Sequence, residues 1–440
     1  MQKLFDDNDK LLKSFGDKQI KENINTAISY SDTAKFYQSK GEYKKALEYY
    51  NNALELNKEI IGDDHISTAI IYNNMAEVFS SQGDYSQALA LFEKSLKIRE
   101  KYLGNEHSDT ATAFNNIAIV YNNQGNYEKA LEWFEKALKI REKIDASSLP
   151  TATTYNSLAS VYNNLSDYNK ALELFHKALT IREKCLGVEH PSTASTYNNI
   201  ANVYQDQGEY DKSLEWYYKA LAIDEKILGT EHPSTSTTYN NIAGAYKDQG
   251  EYDKALEWYY KALAICEKVL GVEHPSTATT YNNIAVVYQN QGDYTKALEW
   301  FYKALEISEK TLGTEHLSTA TTYNNIALVY NAQRQYDKAL EWYYKDLIIR
   351  EKILGAEHPS TATTYNNIAH VYFALGKFSE ALDLFCRTVI VLMNKLSEHP
   401  RTKSAFINMG LCYVKAGGKE ADFETWFNER TESYPTWVTQ

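Results

Sequence analysis

The sequence predicts an all-α fold: a solenoid of stacked antiparallel helical hairpins. Three observations predict it. The stretch TTYNNIA recurs at Thr237, Thr279, Thr321 and Thr363, each copy 42 residues after the last. Every period carries two apolar stripes at helical spacing. Helix breakers are scarce, with 19 Gly and 7 Pro in 440 residues, while Tyr reaches 36. A period of this length marks a stacked array, because one short unit cannot bury its own apolar faces.

The aromatic residue after each turn sets the frame: Tyr43, Tyr85, Tyr127, Tyr168, Tyr210, Tyr252, Tyr294, Tyr336 and Phe378, in steps of 42 with one of 41. That gives nine units, and FINMGLCYVKAGG from Phe406 is a degenerate tenth half. The seventh unit shows the logic. In its first half Tyr281, Ile284, Ala285 and Tyr288 fall at i, i+3, i+4 and i+7, one face of a helix. Pro275 suits the first helical turn, and Gly292 permits the turn that follows. In its second half Tyr294, Ala297, Leu298, Phe301, Ala304, Leu305 and Leu312 form a second stripe closed by Gly313. Small alanines among large apolar residues suit close helix packing.

Tyr281, Ile284, Ala285, Tyr288, Gly292, Tyr294, Ala297, Phe301 and Ala304 match the spacing of the tetratricopeptide repeat. The closing stretch EKILGTEHPSTST from Glu225 resembles the 42-residue variety found in kinesin light chains. The resemblance spans roughly residues 22–415 and implies a right-handed α-solenoid of about nine repeats with terminal caps. Kinesin light chains carry a heptad coiled coil before their repeats. Residues 1–20 are too short for one, so the resemblance points to a kinesin-light-chain-like repeat protein and not to a motor subunit. The expected organisation is a capping helix over 1–21, nine repeats over 22–399, and the degenerate tenth repeat with a C-terminal capping helix over 400–440. Leu4, Leu11, Leu12 and Phe15 are the candidate cap at one end, and Phe423, Trp426 and Phe427 at the other. The third unit ends in IDASSLPTAT, one residue short, which makes 144–150 the candidate bend. The turn glycine is replaced by Ser166 and Arg334 in two units.

Internal copies separate fixed positions from variable ones. The residue after Ala285 varies most, reading Lys35, Glu77, Ile119, Ser160, Asn202, Gly244, Val286, Leu328 and His370. Three residues on, the units read Gln38, Ser80, Asn122, Asn163, Gln205, Lys247, Gln289, Asn331 and Phe373. On a helical wheel these positions share a face with the paired asparagines. The resemblance implies that this first-helix face lines a concave groove, and related repeats use such asparagines to hold peptide cargo. An Asn amide offers both a donor and an acceptor, the pair an extended backbone needs.

The candidate peptide-binding residues are therefore Asn73, Asn74, Asn115, Asn116, Asn156, Asn198, Asn199, Asn202, Gln205, Asn240, Asn241, Lys247, Asn282, Asn283, Gln289, Asn324, Asn325, Asn331, Asn366 and Asn367. The ladder fades at both ends, with Ser31 and Asp32 in the first unit and Asn408 alone in the tenth. The competing reading is that one Asn of each pair bonds across neighbouring helices and fixes the stacking register. Kinesin-light-chain repeats favour acidic peptides through groove Lys and Arg. The variable positions here are mostly neutral or acidic, with Lys35 and Lys247 as exceptions, so that preference is not carried over.

The net charge of −12, from 46 Lys and Arg against 58 Asp and Glu, disfavours a grip on nucleic-acid phosphates or an anionic membrane. Cys185, Cys266, Cys386 and Cys412 have no metal-ligand spacing and read as reduced thiols of a cytoplasmic protein. No signal-peptide pattern opens the chain, and no apolar run approaches the ~18 residues of a membrane span. The recurring His of the inter-unit turn reads as a turn cap, and the recurring Trp of the second helix as an apolar inter-unit contact. No Gly-rich phosphate loop, paired catalytic carboxylates or nucleophile elbow is present. The expected function is a non-enzymatic scaffold binding peptide segments of partner proteins, without metal or cofactor. The alternative is a regulatory receptor for a small signalling peptide, with output through another protein.

Overall fold

The computed structural model describes residues 18–396 and 400–432. The cap residues Leu4, Leu11, Leu12 and Phe15 lie outside the described residues, and Lys18–Ile20 already belong to the first helix. Among the described residues every regular element is helical. The chain divides into two compact units, Met1–Val120 and Tyr121–Gln440.

The first unit holds α1 (Lys18–Ser39), α2 (Tyr43–Ile61), α3 (Ile66–Ser81), α4 (Tyr85–Leu103) and most of α5 (Ser108–Asn123). The second unit holds the end of α5, then α6 (Tyr127–Asp145), α7 (Leu149–Asn164), α8 (Tyr168–Leu186), α9 (Pro191–Asp206), α10 (Tyr210–Ile227), α11 (Pro233–Asp248) and α12 (Tyr252–Ile265). It continues with α13 (Pro275–Asn290), α14 (Tyr294–Thr311), α15 (Leu317–Ala332), α16 (Tyr336–Ile353), α17 (Pro359–Ala374), α18 (Phe378–Leu396), α19 (Pro400–Lys415) and α20 (Phe423–Glu432). Inside each unit consecutive helices pair as antiparallel hairpins, and each hairpin stacks on the next. The architecture is the expected α-solenoid.

The stripes read from the sequence are the buried ones. Ile284, Ala285, Ala297, Phe301 and Ala304 are all fully buried. The core repeats as small local clusters: Phe301 and Leu305 of one hairpin meet Tyr323, Ile326 and Val329 of the next. At the C-terminus α18 is apolar around most of its circumference. Its buried Phe385, Cys386 and Val389 lie with Met409 of α19 and Phe427 of α20 in one larger cluster. Phe423 and Trp426 of α20 pack against that cluster, and Arg430 of α20 pairs with Asp383 of α18.

The inter-unit turns are locked by a recurring hydroxyl. Thr235 Oγ1 donates to the Gly229 carbonyl at 2.8 Å, and Thr277 and Thr319 donate likewise to Gly271 and Gly313. The turn histidines are N-caps, as expected. The Nδ1 of His190, His232, His274 and His316 accepts the backbone N–H two residues on, at 3.0–3.1 Å. The irregular turn at 144–150 keeps the hydroxyl lock, Thr151 Oγ1 to the Asp145 carbonyl at 2.8 Å. Ser148 stands there at the cap position and makes no capping bond. A further irregularity is a single π-helical turn, Cys266–Leu270, which extends α12.

Within the second unit one contact joins parts far apart in sequence. The turn after α5 meets the start of α17. His358 is only 8% exposed there, whereas the other cap histidines of this unit are half-buried. Gly125, at φ 64°, has no room for a side chain. A Cβ there would sit 2.9 Å from the His358 ring and 3.0 Å from Pro359 Cδ. Tyr127 and Leu165 pack against the α18–α20 cluster beside it. Burial first, with the positive charges of Arg350 and Lys395, pushes the His358 pKa down to about 4, against an opposing hydrogen bond to the Asn123 backbone.

Two measurements follow from these turns. Ser166 and Arg334 sit at φ 59° and 60°, where the other hairpin turns place glycine. A left-handed conformation costs a non-glycine residue about 1–2 kcal/mol, partly offset by the greater unfolded freedom of glycine. Ser166→Gly and Arg334→Gly each raise the melting temperature, by about 0.5–1 kcal/mol of stability. For His358 the folded pKa lies below the unfolded value near 6.5. The unfolded chain therefore binds a proton that the folded one refuses between pH 6.5 and about 4. Its stabilising contribution is complete above pH 6.5 and falls as the pH is lowered through that window. Between pH 7 and pH 5 the parent loses more melting temperature than His358→Gln.

Candidate binding face of the first helices

The candidate face is built within each unit by its odd-numbered helices, α3 and α5 in the first and α7 to α17 in the second. Position in the period decides which side chains share it, and hydrogen bonds then sort the paired asparagines into two roles.

In some seams the second Asn reaches back. Asn116 Nδ2 donates to Asn73 Oδ1 in the first unit of the structure, at 2.9 Å. In the second, Asn199 donates to Asn156 and Asn367 to Asn324, both at 2.9 Å. Between α9 and α15 the first Asn reaches forward instead. Asn198 Nδ2 donates to Thr238 Oγ1 at 3.0 Å, Asn240 to Thr280 at 3.3 Å and Asn282 to Thr322 at 2.9 Å. Thr238 passes its own proton to the buried Asp224 carboxylate at 2.7 Å, making a chain of two bonds across the seam. Burial raises the Asp224 pKa, and the Thr238 bond opposes that rise. These asparagines knit neighbouring hairpins, as the register reading expects of one Asn per pair.

The partners in this stretch are left uncommitted. Asn241, Asn283 and Asn325 are half-buried and make no side-chain hydrogen bond among the described residues. Gln289 and Asn331 are in the same state, as is Asn74 in the first unit. The side-chain oxygens of Asn115, Asn198, Asn240, Asn282 and Asn366 are also without a partner, but they are sealed from solvent.

Three other candidates are engaged internally. Tyr217 donates its hydroxyl to Asn202 and to Gln205 Oε1, the latter at 2.9 Å. Gln205 Nε2 also bonds Asp248 at 2.5 Å, and Lys247 pairs with the same carboxylate at 2.8 Å. Sequence reasoning passed over Thr238, Thr280, Thr322 and Asp248 as seam partners, and Asp206, which accepts from Asn163 Nδ2 at 2.7 Å. The signal lay in the period, because each Thr follows the Asn it accepts from by 40 residues.

Tyrosine contributes further seam bonds. Tyr197 donates to Glu183 at 2.9 Å and Tyr281 to Glu267 at 2.6 Å. Burial, then these carboxylates, push both phenols up to about 12. On another surface, hydroxyl pairs join successive hairpins: Tyr218 with Tyr246, Tyr260 with Tyr288 and Tyr302 with Tyr330, at 2.9–3.0 Å. The recurring Trp is half-buried between hairpins, as Trp258 between Tyr239 and Tyr218, with Lys261 Nζ 4.2 Å from its ring.

Among the described residues no cluster of three or more His, Cys, Asp or Glu could hold a metal ion. None of their helices is long and apolar enough to cross a membrane. The face therefore offers amide donors and acceptors at a fixed interval, flanked by changing neighbours.

The seam chain gives a direct test. Thr238→Val removes the acceptor of Asn198 and the donor to Asp224 together. Leaving buried polar groups unpaired costs about 1–3 kcal/mol each. The variant melts measurably lower than the parent, whereas Asn283→Ala, which breaks no bond, melts within error of it.

The tetratricopeptide repeat model matches residues 25–101, 82–143, 150–226, 192–268, 234–310, 276–345 and 318–389. Among solved structures, the chain is similar to a putative kinesin light chain from Podosopora anserina with nearly identical TPR-like repeats. That match has 30% identity and a TM-score of 0.38, and covers 46% of this chain and 95% of the other. BtubC (BKLC) from P. vanneervenii matches at 23% identity over 54% of this chain and 92% of its own, with a TM-score of 0.41. The apo form of RapI matches at 21% identity over 64% and 98%, with a TM-score of 0.47. A comparison with curated proteins finds no match. Since the repeat model covers most of the chain, seam by seam, the protein belongs to the tetratricopeptide repeat family.

Proposed function

We propose that the protein is a non-enzymatic scaffold that binds extended peptide segments of other proteins along the first-helix face. The observation that carries this reading is the division of labour within the asparagine pairs. Asn240 and Asn282 hold the seams, while Asn241, Asn283 and Asn325 keep their donors and acceptors unspent at successive 42-residue intervals. An unspent amide on a half-buried face satisfies the N–H and C=O of a backbone without reading its side chain. Selectivity then falls to the neighbours that change between hairpins, Gly244, Val286 and Leu328, with Gln289 and Asn331 adding polar contacts. Side-chain choice by pockets beside a backbone grip is a recurrent mode of peptide recognition. The acidic balance favours a protein partner over a nucleic acid. Four unpaired cysteines, three of them buried, support a reducing compartment such as the cytoplasm.

The test is a peptide-display selection on three proteins: the parent, the triple variant Asn241→Ala/Asn283→Ala/Asn325→Ala, and the triple variant Asn198→Ala/Asn240→Ala/Asn282→Ala. The first variant keeps the parent's melting temperature and loses the enriched peptides. The second melts lower and retains them at temperatures where it is folded. Identical enrichment on parent and first variant would remove the unspent amides from the binding face.

A further inference from the structure

Stacked repeats touch their sequence neighbours, and most contacts here obey that rule. The contact between the turn after α5 and the start of α17 does not. It joins Gly125 to His358 and Pro359, across the five hairpins α7 to α16. Its geometry is edge to edge. The turn at Gln124–Asn126 ends a first helix, and His358 begins one, so the two lie on opposite edges of the hairpin array. Leu165, in the next turn along the first of these edges, also meets the C-terminal cluster. The five intervening hairpins carry Asn241, Asn283 and Asn325, and the contact bridges the edges that flank them.

The patch is small beside a hairpin seam: the His358 imidazole and the Pro359 ring against Gly125, a bond between His358 and the Asn123 backbone, and beside them Tyr127 and Leu165 against the α18–α20 cluster. A seam buries a whole helix face, so this patch is the cheaper of the two to open. Low-stability contacts of this kind are where native proteins open first. It is nonetheless fitted, since Gly125 admits no side chain there, whereas Gly292, at the equivalent turn, has nothing within 4 Å of a Cβ.

We propose that this contact is a clasp: the second unit exchanges between the clasped arrangement and one in which the edges part, and parting admits a peptide to the first-helix face. The gating half of this proposal rests on the binding reading above. The clasp itself does not.

The test uses the full chain with Cys185→Ser, since Cys185 is the one exposed cysteine among the four. Spin labels are placed at Asn126→Cys and Glu357→Cys, on either side of the contact. The parent gives one short, narrow distance. His358→Ala and Gly125→Leu shift it to longer, broader distances, with helicity unchanged. Gly292→Leu is the control, imposing the same left-handed backbone strain where no clasp exists, and it leaves the distance as in the parent. A broad distance in the parent, or the same response to Gly125→Leu and Gly292→Leu, overturns the clasp. For gating, the probe is the best peptide from the display selection. If the open form is populated at about a tenth in the parent, releasing the clasp strengthens apparent affinity about tenfold. Parted edges with unchanged affinity overturn the gating and leave the clasp structural. If no peptide enriches, the binding reading fails while the distance measurement still decides the clasp.

Discussion

A two-helix hairpin carries more apolar surface than it can bury by itself, and everything else in this protein follows from that constraint. Ala285, Ala297 and Ala304 let neighbouring helices approach, and Ile284 and Phe301 fill the space between them. Once hairpins must stack, each polar residue near a seam faces another copy of the same sequence. Its partner must then come from the unit before or after. The hydrogen bonds accordingly recur at fixed separations: 40 for Asn to Thr, 43 for Asn to Asn, 14 for Tyr to Glu.

That arrangement explains why tyrosine is so abundant. A phenol places an apolar ring in the seam and a hydroxyl at its rim, so it contributes to packing and register together. Tyr281 reaches Glu267, and Tyr260 meets Tyr288, across one and the same seam. One register position shows how much chemistry a seam tolerates. Arg182 bonds Thr196 there, Asp224 bonds Thr238, and Cys266 lies near Thr280. A threonine that both donates and accepts accommodates a cation, an anion or a thiol.

The fold class was legible, because period and helical stripe are properties of the sequence itself. The turn chemistry was legible too: the histidines cap, and Ser166 and Arg334 take the glycine conformation that their position demands. The binding face was only half legible. Helical wheels place Asn282 and Asn283 together, but they do not say which amide a threonine 40 residues away will claim. That choice depends on distances between neighbouring helices, which no single period encodes. The contact at Gly125 was invisible for a related reason. It joins residues more than 200 positions apart, and Gly125 reads like every other turn glycine until His358 is seen against it.

The uniformity of the seams has a consequence for the history of such a gene. Asn240 to Thr280 and Asn282 to Thr322 are the same bond between different copies, so a hairpin does not distinguish which sibling lies beside it. Unequal crossing-over that removes or doubles one 42-residue block creates a junction bonded like those it replaced. The seams alone would let length vary in the regular stretch from α9 to α15. That stretch lies between Gly125 and His358, so their contact fixes the number of hairpins between them.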